Sequence, residues 1–475
     1  MRGGLLLLLV LIPLIGALFA MLAKTDHTGN KSNVYNVSVW SMIFNIILIL
    51  YIFSGFSIEK QGIQLVEKYK WMDFPPMELL LGADIFSLLL LLSINLSFVI
   101  GGICINRDTE HPKTLISAEL LFISLLNGYF LSADIILFYI FFASLSAPLI
   151  ILISTYGSIR KKNIMMRFSI YNLIGALFLF ISVMMIYNYK GNNIPLNTVS
   201  NLNLVGSATH FIWIGIFFAF ISRLPIWPFH YWITSINSSL RNPMVFMVGN
   251  LVPLFGLYGF IRFWPNNLPS VISVYAPVFE LICVITMVFI SMVSLSHKDI
   301  RYKLFAYTTV YYLLYLTGIF ISGDSMKESI GYSLFAYIMI ITVLSFLISH
   351  VEYEKKKLNI YGISGILCYM PRASKCISLF ILAGIGLPIT SLFWNNFIII
   401  SEIFNYSLVM GTFTILSLFI VALSLLEELF KLKDKSYAQT TCSMGTDLSN
   451  LHFSVYLGCL LILFFSFFKP LWFVF

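Results

Sequence analysis

SRLPIWPFHYW, from Ser222 to Trp232, sets Pro225 and Pro228 into a long apolar run, and LAGIGLP, from Leu382 to Pro388, sets Gly384, Gly386 and Pro388 into another. Each proline removes an internal hydrogen bond of a helix, so a backbone carbonyl there needs another partner. In hydrocarbon that partner has to come from the protein or from a polar cavity. Two Pro/Gly-broken helices at matching places in two halves form the pattern of inverted-repeat transporters, whose freed backbone lines a polar path at mid-membrane depth. The plainer alternative is a pair of kinks, since membrane helices carry Pro and Gly freely.

The rest of the chain places these breaks in a membrane. Of its 475 residues 59% are hydrophobic and 11% charged, with a mean hydropathy of +0.91. A water-soluble fold cannot hide so much apolar surface, so lipid is the solvent. The longest polar gaps run to roughly 25 residues, below a domain's usual size, which leaves one membrane domain over 1–475. Apolar runs able to cross hydrocarbon lie near 3–22, 38–57, 85–105, 114–131, 135–155, 165–187 and 208–227. Others lie near 243–264, 271–296, 303–321, 330–349, 376–400, 407–426 and 451–473. Backbone amides in lipid must bond within their own segment, so these are helices and not strands. The expected fold is an all-α polytopic membrane protein of about fourteen transmembrane helices. Spans 1 to 3 fill 1–105, an inverted five-helix repeat occupies 114–264 and again 271–426, and a final span covers 451–473. Spans 7 and 12 are the broken ones. The first run, with one early arginine, could be a signal peptide, but it lacks a small-residue cleavage site and reads as the first helix.

The net charge of +8 does not point to nucleic acid, because the basic residues sit in short loops between apolar runs. Loops after odd-numbered spans hold about twenty of the 29 Lys and Arg, including Arg160 to Lys162, Lys298, Arg301, Lys303, Lys355 to Lys357, Lys431, Lys433 and Lys435. By the positive-inside rule those loops face the cytoplasm and both termini face the periplasm or its equivalent. Cys104, Cys283, Cys368, Cys376, Cys442 and Cys459 form no CxxC and have no His/Cys cluster beside them, so they read as small apolar residues.

Several segments resemble one family in the right order. LVEKYKW (Leu65 to Trp71) followed by LGADIFSLLL (Leu81 to Leu90) is similar to the segment entering helix 3 of the antiporter-like subunits of respiratory complex I. FLSADIILFYIFF (Phe130 to Phe142) with Pro148, RLPIWPFHYW, HKDIRYKLFAYTTV (His297 to Val310) and GLPITSLFWNNF (Gly386 to Phe397) are similar to its helix 5, helix 7, the helix 9 to 10 junction and helix 12. The length and LVEKYKW fit the subunit M, or chain 4, branch. The D-type component of multisubunit cation/proton antiporters is a close relative with the same architecture.

The resemblance implies a mid-membrane line of ionisable residues: a glutamate in helix 5, lysines in helices 7 and 8, a histidine in helix 11, and a glutamate or lysine in helix 12. These positions fall on Ala143, Arg223, Leu254, Tyr337 and Asn396. Arg223 stays charged and is a poor proton carrier. It is expected either as a structural arginine on carbonyls freed by Pro225 and Pro228 or as a fixed charge that gates an ion path. Asp299 stands one residue out of the family's place, whereas Lys303 keeps its basic position.

Acids inside apolar runs are rare enough to count as site hypotheses, which adds Glu119, Asp134 and Glu280. Asp134 is expected as a helix-start acid favoured by the N-terminal dipole. Glu119 and Glu280 either replace the missing carboxylate or have a local partner. His230 matches the family's loop after helix 7 and is expected as a hydrogen-bonding residue, with ITSIN (Ile233 to Asn237) replacing the family's acidic residues after it. No GxGxxG, Walker motif or cluster-ligand spacing occurs, so NADH, FMN, iron–sulfur and quinone sites are expected on partner subunits. The expectation is a complex I membrane-arm subunit without redox centres, contributing to proton transfer beside other hydrophobic subunits in a bacterial inner or mitochondrial inner membrane. A component of a multisubunit cation/proton antiporter and a transport-inactive structural paralogue are the alternatives.

Overall fold

The computed structural model describes residues 3–23, 32–57, 62–72, 77–105, 109, 111–157, 161–190, 207–230, 232–233, 242–267, 269–357, 366–433 and 446–466. Arg160, Tyr231, Thr234 to Asn237, Lys435, Cys442 and the end of the 451–473 run lie outside them. Among the described residues, eleven helices are long and apolar enough to cross a membrane, and Thr209–Ile221 and Asn450–Phe465 are shorter apolar helices. The fold is an all-helical polytopic bundle with one small hairpin.

The first helix, α1 (Leu5–Leu22), carries Pro13 inside it. Proline has no N–H to offer the carbonyl four residues back, so Leu9 O is left open. The amides of Asn127 and Asn45 donate to it at 2.8 and 3.4 Å, and Ser124 Oγ donates to Val10 O at 2.8 Å. These residues come from α4 (Pro112–Leu131) and α2 (Ser32–Phe53), so the three helices are tied at the kink.

Between α2 and α3 (Ile85–Cys104) the chain forms a hairpin of β1 (Leu65–Met72) and β2 (Met77–Ala83), with Leu65 opposite Ala83 and Lys70 opposite Glu78. Apolar runs do not reveal it, because a search for them passes over a short polar-edged segment. Glu67 on β1 is buried and accepts from the amides of Gly4, Leu6 and Leu7 at 2.8, 3.2 and 3.2 Å. A carboxylate at open helix N–H groups is favoured by both hydrogen bonding and the dipole. The hairpin therefore caps α1.

Span 5 is split, which its apolar run did not indicate. α5 (Ile135–Ser144) ends four residues before Pro148, and α6 (Ser146–Tyr156) continues after a one-residue offset at Leu145. Pro148 cannot bond Ser144 O, and α5 stops there. Asp134 caps α5, accepting from Ile136 N and Leu137 N at 2.8 and 3.3 Å.

The chain continues through α7 (Lys161–Lys190), α8 (Ser207–Ile221), α9 (Pro243–Asn267), α10 (Pro269–Ser296), α11 (Ile300–Ser322) and α12 (Lys327–Lys357). It then forms α13 (Pro371–Ile385), α14 (Ser391–Tyr406), α15 (Leu408–Lys433) and α16 (Asn450–Phe465). Helix α11 is the axis: every residue from Ile300 to Phe320 except Tyr302 is buried. Outer helices show lipid-facing stripes instead, as on α10, where Val274, Val278, Leu281, Ile285, Phe289 and Met292 are exposed at helical spacing.

Polar contacts sort the connections to two ends. At one, Leu81 pairs with Ser132, and Arg262 of α9 forms an ion pair with Asp84, the N-cap of α3. At the other, the Tyr156 hydroxyl donates to His111 O at 2.9 Å, and Arg301 at the start of α11 pairs with Glu352 of α12 at 2.6 Å.

Candidate functional site

Both expected breaks are present, and at each a side chain bonds a backbone carbonyl across to another element. Span 7 stops earlier than the 208–227 run suggested. Helix α8 ends at Ile221, the residue whose carbonyl Pro225 cannot serve, and Arg223 lies in the irregular segment after it. Arg223 is completely buried. Its Nη2 donates to Phe142 O of α5 at 2.9 Å, and its guanidinium stands 4.5 Å from the centre of the Phe142 ring. The acceptor thus lies in the last turn of α5, where carbonyls lack a continuing helix, and not among carbonyls freed by Pro225 and Pro228. Arg223 Nε and Nη1 have no protein partner.

Span 12 is broken between α13 and α14, with Gly386 in the left-handed region at φ 99°. Only glycine adopts that backbone at little cost, which is why the turn falls in LAGIGLP. The carbonyl of Gly384 accepts from the Tyr311 hydroxyl of α11 at 3.0 Å. In the first half the contact runs from span 7 to span 5. In the second it runs between spans 10 and 12.

Around Tyr311 the structure gathers aromatic residues. Tyr307, Tyr311, Tyr312 and Tyr315 of α11 surround Tyr337 of α12, with ring centroids of Tyr337 at 5.7 Å from Tyr307, 6.3 Å from Tyr311 and 5.2 Å from Tyr312. Asn396 of α14 and Ser333 of α12 are polar neighbours of the Tyr315 hydroxyl. Two mapped positions, Tyr337 and Asn396, therefore meet at one cluster, and both are buried. Leu254 is buried in α9.

The remaining candidates are dispersed. Glu119 lies inside α4, fully buried, with neither carboxylate oxygen hydrogen-bonded to protein. Glu280 is on the inward side of α10, away from the exposed stripe, one turn from buried Cys283 and beside the Tyr406 hydroxyl. Asp134 belongs to the end of the bundle as the cap of α5. His230 is half-buried with its ring 6.2 Å from that of Phe289, and its Nδ1 has no partner.

One constellation escaped the sequence reading. Arg301 and Lys303 were expected as loop charges, but both lie in α11 and are buried. The side chain of Lys303 is 0% exposed, and its Nζ reaches Glu427 Oε2 at 2.5 Å and Glu428 Oε1 at 2.8 Å on α15. Lys431 closes the group, 2.7 Å from Glu427 and 2.8 Å from Glu428. The available signal was LLEELFKLK (Leu425 to Lys433), whose Glu427 and Lys431 stand four apart on one helix face. The apolar run near 407–426 stops one residue short of Glu427, whereas the helix continues to Lys433.

Among the described residues no group of three or more His, Cys, Asp and Glu converges as metal ligands would. The five described cysteines are free.

Comparison with known proteins adds likenesses to one family, two relatives and two solved structures. The family described as NADH:quinone oxidoreductase/Mrp antiporter, transmembrane, matches residues 132–423. The NADH-quinone oxidoreductase subunit M of Rickettsia typhi is 28% identical over 410 residues, covering 84% of this chain and 81% of its own. NADH-ubiquinone oxidoreductase chain 4 of Arabidopsis thaliana is 26% identical over 370 residues, covering 76% and 73%. Among solved structures, a chain of respiratory complex I from Thermus thermophilus superposes with a TM-score of 0.84 at 20% identity over 98% of this chain and 96% of that one. A chain of the archaeal membrane-bound sulfane sulfur reductase reaches the same TM-score at 15% identity, covering 98% of this chain and 95% of its own.

Proposed function

This chain belongs to the NADH:quinone oxidoreductase/Mrp antiporter transmembrane family, and from that premise we propose that it is a membrane-arm subunit of a proton-translocating NADH:quinone oxidoreductase. It contributes to proton transfer across the membrane, while NADH, FMN, iron–sulfur clusters and quinone are handled by partner subunits. The curated relatives that bear the subunit M and chain 4 names support this assignment. Fourteen crossings follow when α5 and α6 are taken as one, and α13 and α14 as one. On that count the termini share the periplasmic or intermembrane side, and the two broken spans occupy matching places in inverted repeats.

The observation that carries proton transfer is Glu119. A carboxyl group in the lipid-embedded interior costs several kcal/mol as an ion. A structural one would be held by hydrogen bonds. Glu119 has none to protein, so it is free to take and release a proton. Glu280, inward on α10, is the second exchangeable carboxyl, and Arg223 supplies a fixed positive charge at the first break. Asn396 and Tyr337 extend the polar path in the second half, while Asp134 and His230 stand towards its margins.

The test is proton uptake into vesicles carrying the purified assembly, read with a pH-sensitive dye. Glu119→Gln and Glu280→Gln are expected to slow uptake by roughly tenfold or more, the scale of a lost acid–base group. Unchanged rates in both would remove these carboxyls from the path. The family also includes antiporters, which favours a role in a multisubunit cation/proton antiporter as the second reading. Affinity purification separates the two, since quinone-reductase subunits are expected with the first and small antiporter subunits with the second. An assembly that recovers quinone-reductase subunits but moves no protons would mark a structural paralogue, the outcome to which the apolar Ala143 and Leu254 point.

A further inference from the structure

Lys303, Tyr307, Tyr311 and Tyr315 recur every four residues along α11. At 1.5 Å rise per residue, each step climbs about 6 Å and the series spans about 18 Å, more than half of a hydrocarbon core. We propose that this face of α11 is a hydroxyl wire that carries protons between the Glu427 end of the bundle and Asn396 at the broken span 12. The inference rests on the reading that the chain moves protons and names the route in its second half.

Three observations support the wire. The first is position: α11 is buried on all sides, so the ladder is sealed from lipid along its length. The second is the chemistry of the cluster. The hydroxyls of Tyr307 and Tyr312 are buried without a hydrogen bond to protein, and those of Tyr315 and Tyr337 have only polar side-chain neighbours, Ser333 and Asn396 for the first and Thr308 for the second. Each such group carries a desolvation cost that phenylalanine would not. The chain holds 44 phenylalanines and uses them freely for packing, yet five of its 25 tyrosines are concentrated here. Buried hydroxyls of this kind are satisfied by water, and successive rings of the ladder lie close enough for bridging molecules, with centroids 4.5 Å apart for Tyr307 and Tyr311 and 6.2 Å apart for Tyr311 and Tyr315. The third is the port. Glu427 is 47% exposed while its ion-pair partner Lys303 is 0% exposed, so one salt bridge joins the surface to the sealed interior. A chain of polar neighbours leads on from Tyr337 through Thr308 to Asn250 of α9, one turn from Leu254.

A hydroxyl is both donor and acceptor, so it passes a proton without ionising. Each phenolic oxygen accepts a proton on a lone pair and releases its own O–H proton to the next water. No bond to carbon changes, and the tyrosine ends neutral. Lys303 gives its ammonium proton to the first water of the wire; the ionised Glu427 then takes a proton from bulk water and passes it to the neutral amine, which restores the ammonium–carboxylate pair. The substitution of apolar and amide residues at the mapped positions is thereby bypassed in the second half. Neutral hydroxyls do there what titratable side chains would otherwise do.

The test uses the purified assembly in vesicles, with an imposed potential driving protons and a pH-sensitive dye inside. Tyr307→Phe combined with Tyr315→Phe keeps the rings and removes two hydroxyls. It is expected to lower the proton flux by roughly tenfold or more, and to change the ratio of rates in H2O and D2O. A structural role alone leaves that ratio unchanged. Glu427→Gln, which leaves Glu428 paired with Lys303, is expected to slow the flux and to shift its dependence on external pH. If the native assembly moves protons and these variants match it, the wire is wrong and the function stands. If the native assembly moves no protons, both fall. Should the double variant fail to assemble, the native isotope effect decides: a flux indifferent to D2O overturns the wire.

Discussion

Arg262 and Asp84, 178 positions apart, are joined by two parallel hydrogen bonds, Nη1 to Oδ2 at 2.9 Å and Nη2 to Oδ1 at 2.8 Å. The arginine also donates from Nε to the Tyr258 hydroxyl at 2.7 Å, and Tyr258 donates to Phe130 O at 2.6 Å. One guanidinium thus connects the start of α3, the end of α4 and α9.

Burial would raise the Asp84 carboxyl, but the Arg262 charge and the hydrogen bonds from Ser87 and Arg262 outweigh it and hold the group below its ordinary value. A depressed carboxylate contributes stability that is present above its unfolded value, about 3.9, and lost as pH falls through the folded one. Asp84→Asn keeps a good helix cap and removes the charge. It is expected to cost about 3 kcal/mol near neutrality. Melting curves in detergent check this: the gap between variant and native protein should close as pH falls below about 4.

Glu67→Ala leaves three amides at the start of α1 without their acceptor. A loss of about 2 kcal/mol is expected. Glu67→Gln, with one carbonyl oxygen left, should recover part of it. Protease accessibility of the first ten or so residues is the local readout, and an unchanged digestion pattern in Glu67→Ala would count against the cap.

Arg223 bonds to Phe142 O and lies over the Phe142 ring, so Arg223→Met should destabilise the fold by about 1–3 kcal/mol through the unpaired carbonyl, read as a lower melting temperature. Arg223→Lys keeps the charge but loses the planar stack. If Arg223 acts as a fixed field, the lysine variant retains proton flux and the methionine variant does not. Equal flux in both would confine the residue to holding α5 and the span 7 break together.

A Cβ at Gly256 of α9 would stand 2.6 Å from Phe220 O, a backbone atom of α8 that cannot rotate away. Small residues let membrane helices approach this closely. Gly256→Ala is expected to separate α8 from α9 and cost about 1–3 kcal/mol. Because Phe220 is three residues before Arg223, the same variant should disturb proton flux more than its stability loss alone explains.

The bundle was legible because membrane crossing is written in runs of apolar residues, and the breaks of spans 7 and 12 because proline and glycine have fixed backbone consequences. Span 5 reads as continuous because its interruption depends on a single Pro148 with no glycine beside it. The hairpin is invisible to a search tuned to hydrophobic length. The site was legible only by type. Arg223, Glu119 and Glu280 stand out as rarities in lipid, but Arg223 bonds a backbone atom of α5 and Glu280 a side chain distant in sequence, while Glu119 bonds nothing in the protein. Lys303 escapes because a charge at a helix end looks like loop until the helix that buries it, here α15, is in position.

Pro13 gives the first helix a consequence beyond its bend. The open carbonyl at Leu9 is claimed by two asparagines from different helices, and the next carbonyl by a serine. Sliding α1 by a single turn, or swivelling it, would strand all three donors where no solvent can replace the lost acceptor. An otherwise featureless stretch of leucines is thereby indexed to its neighbours like a key in a slot.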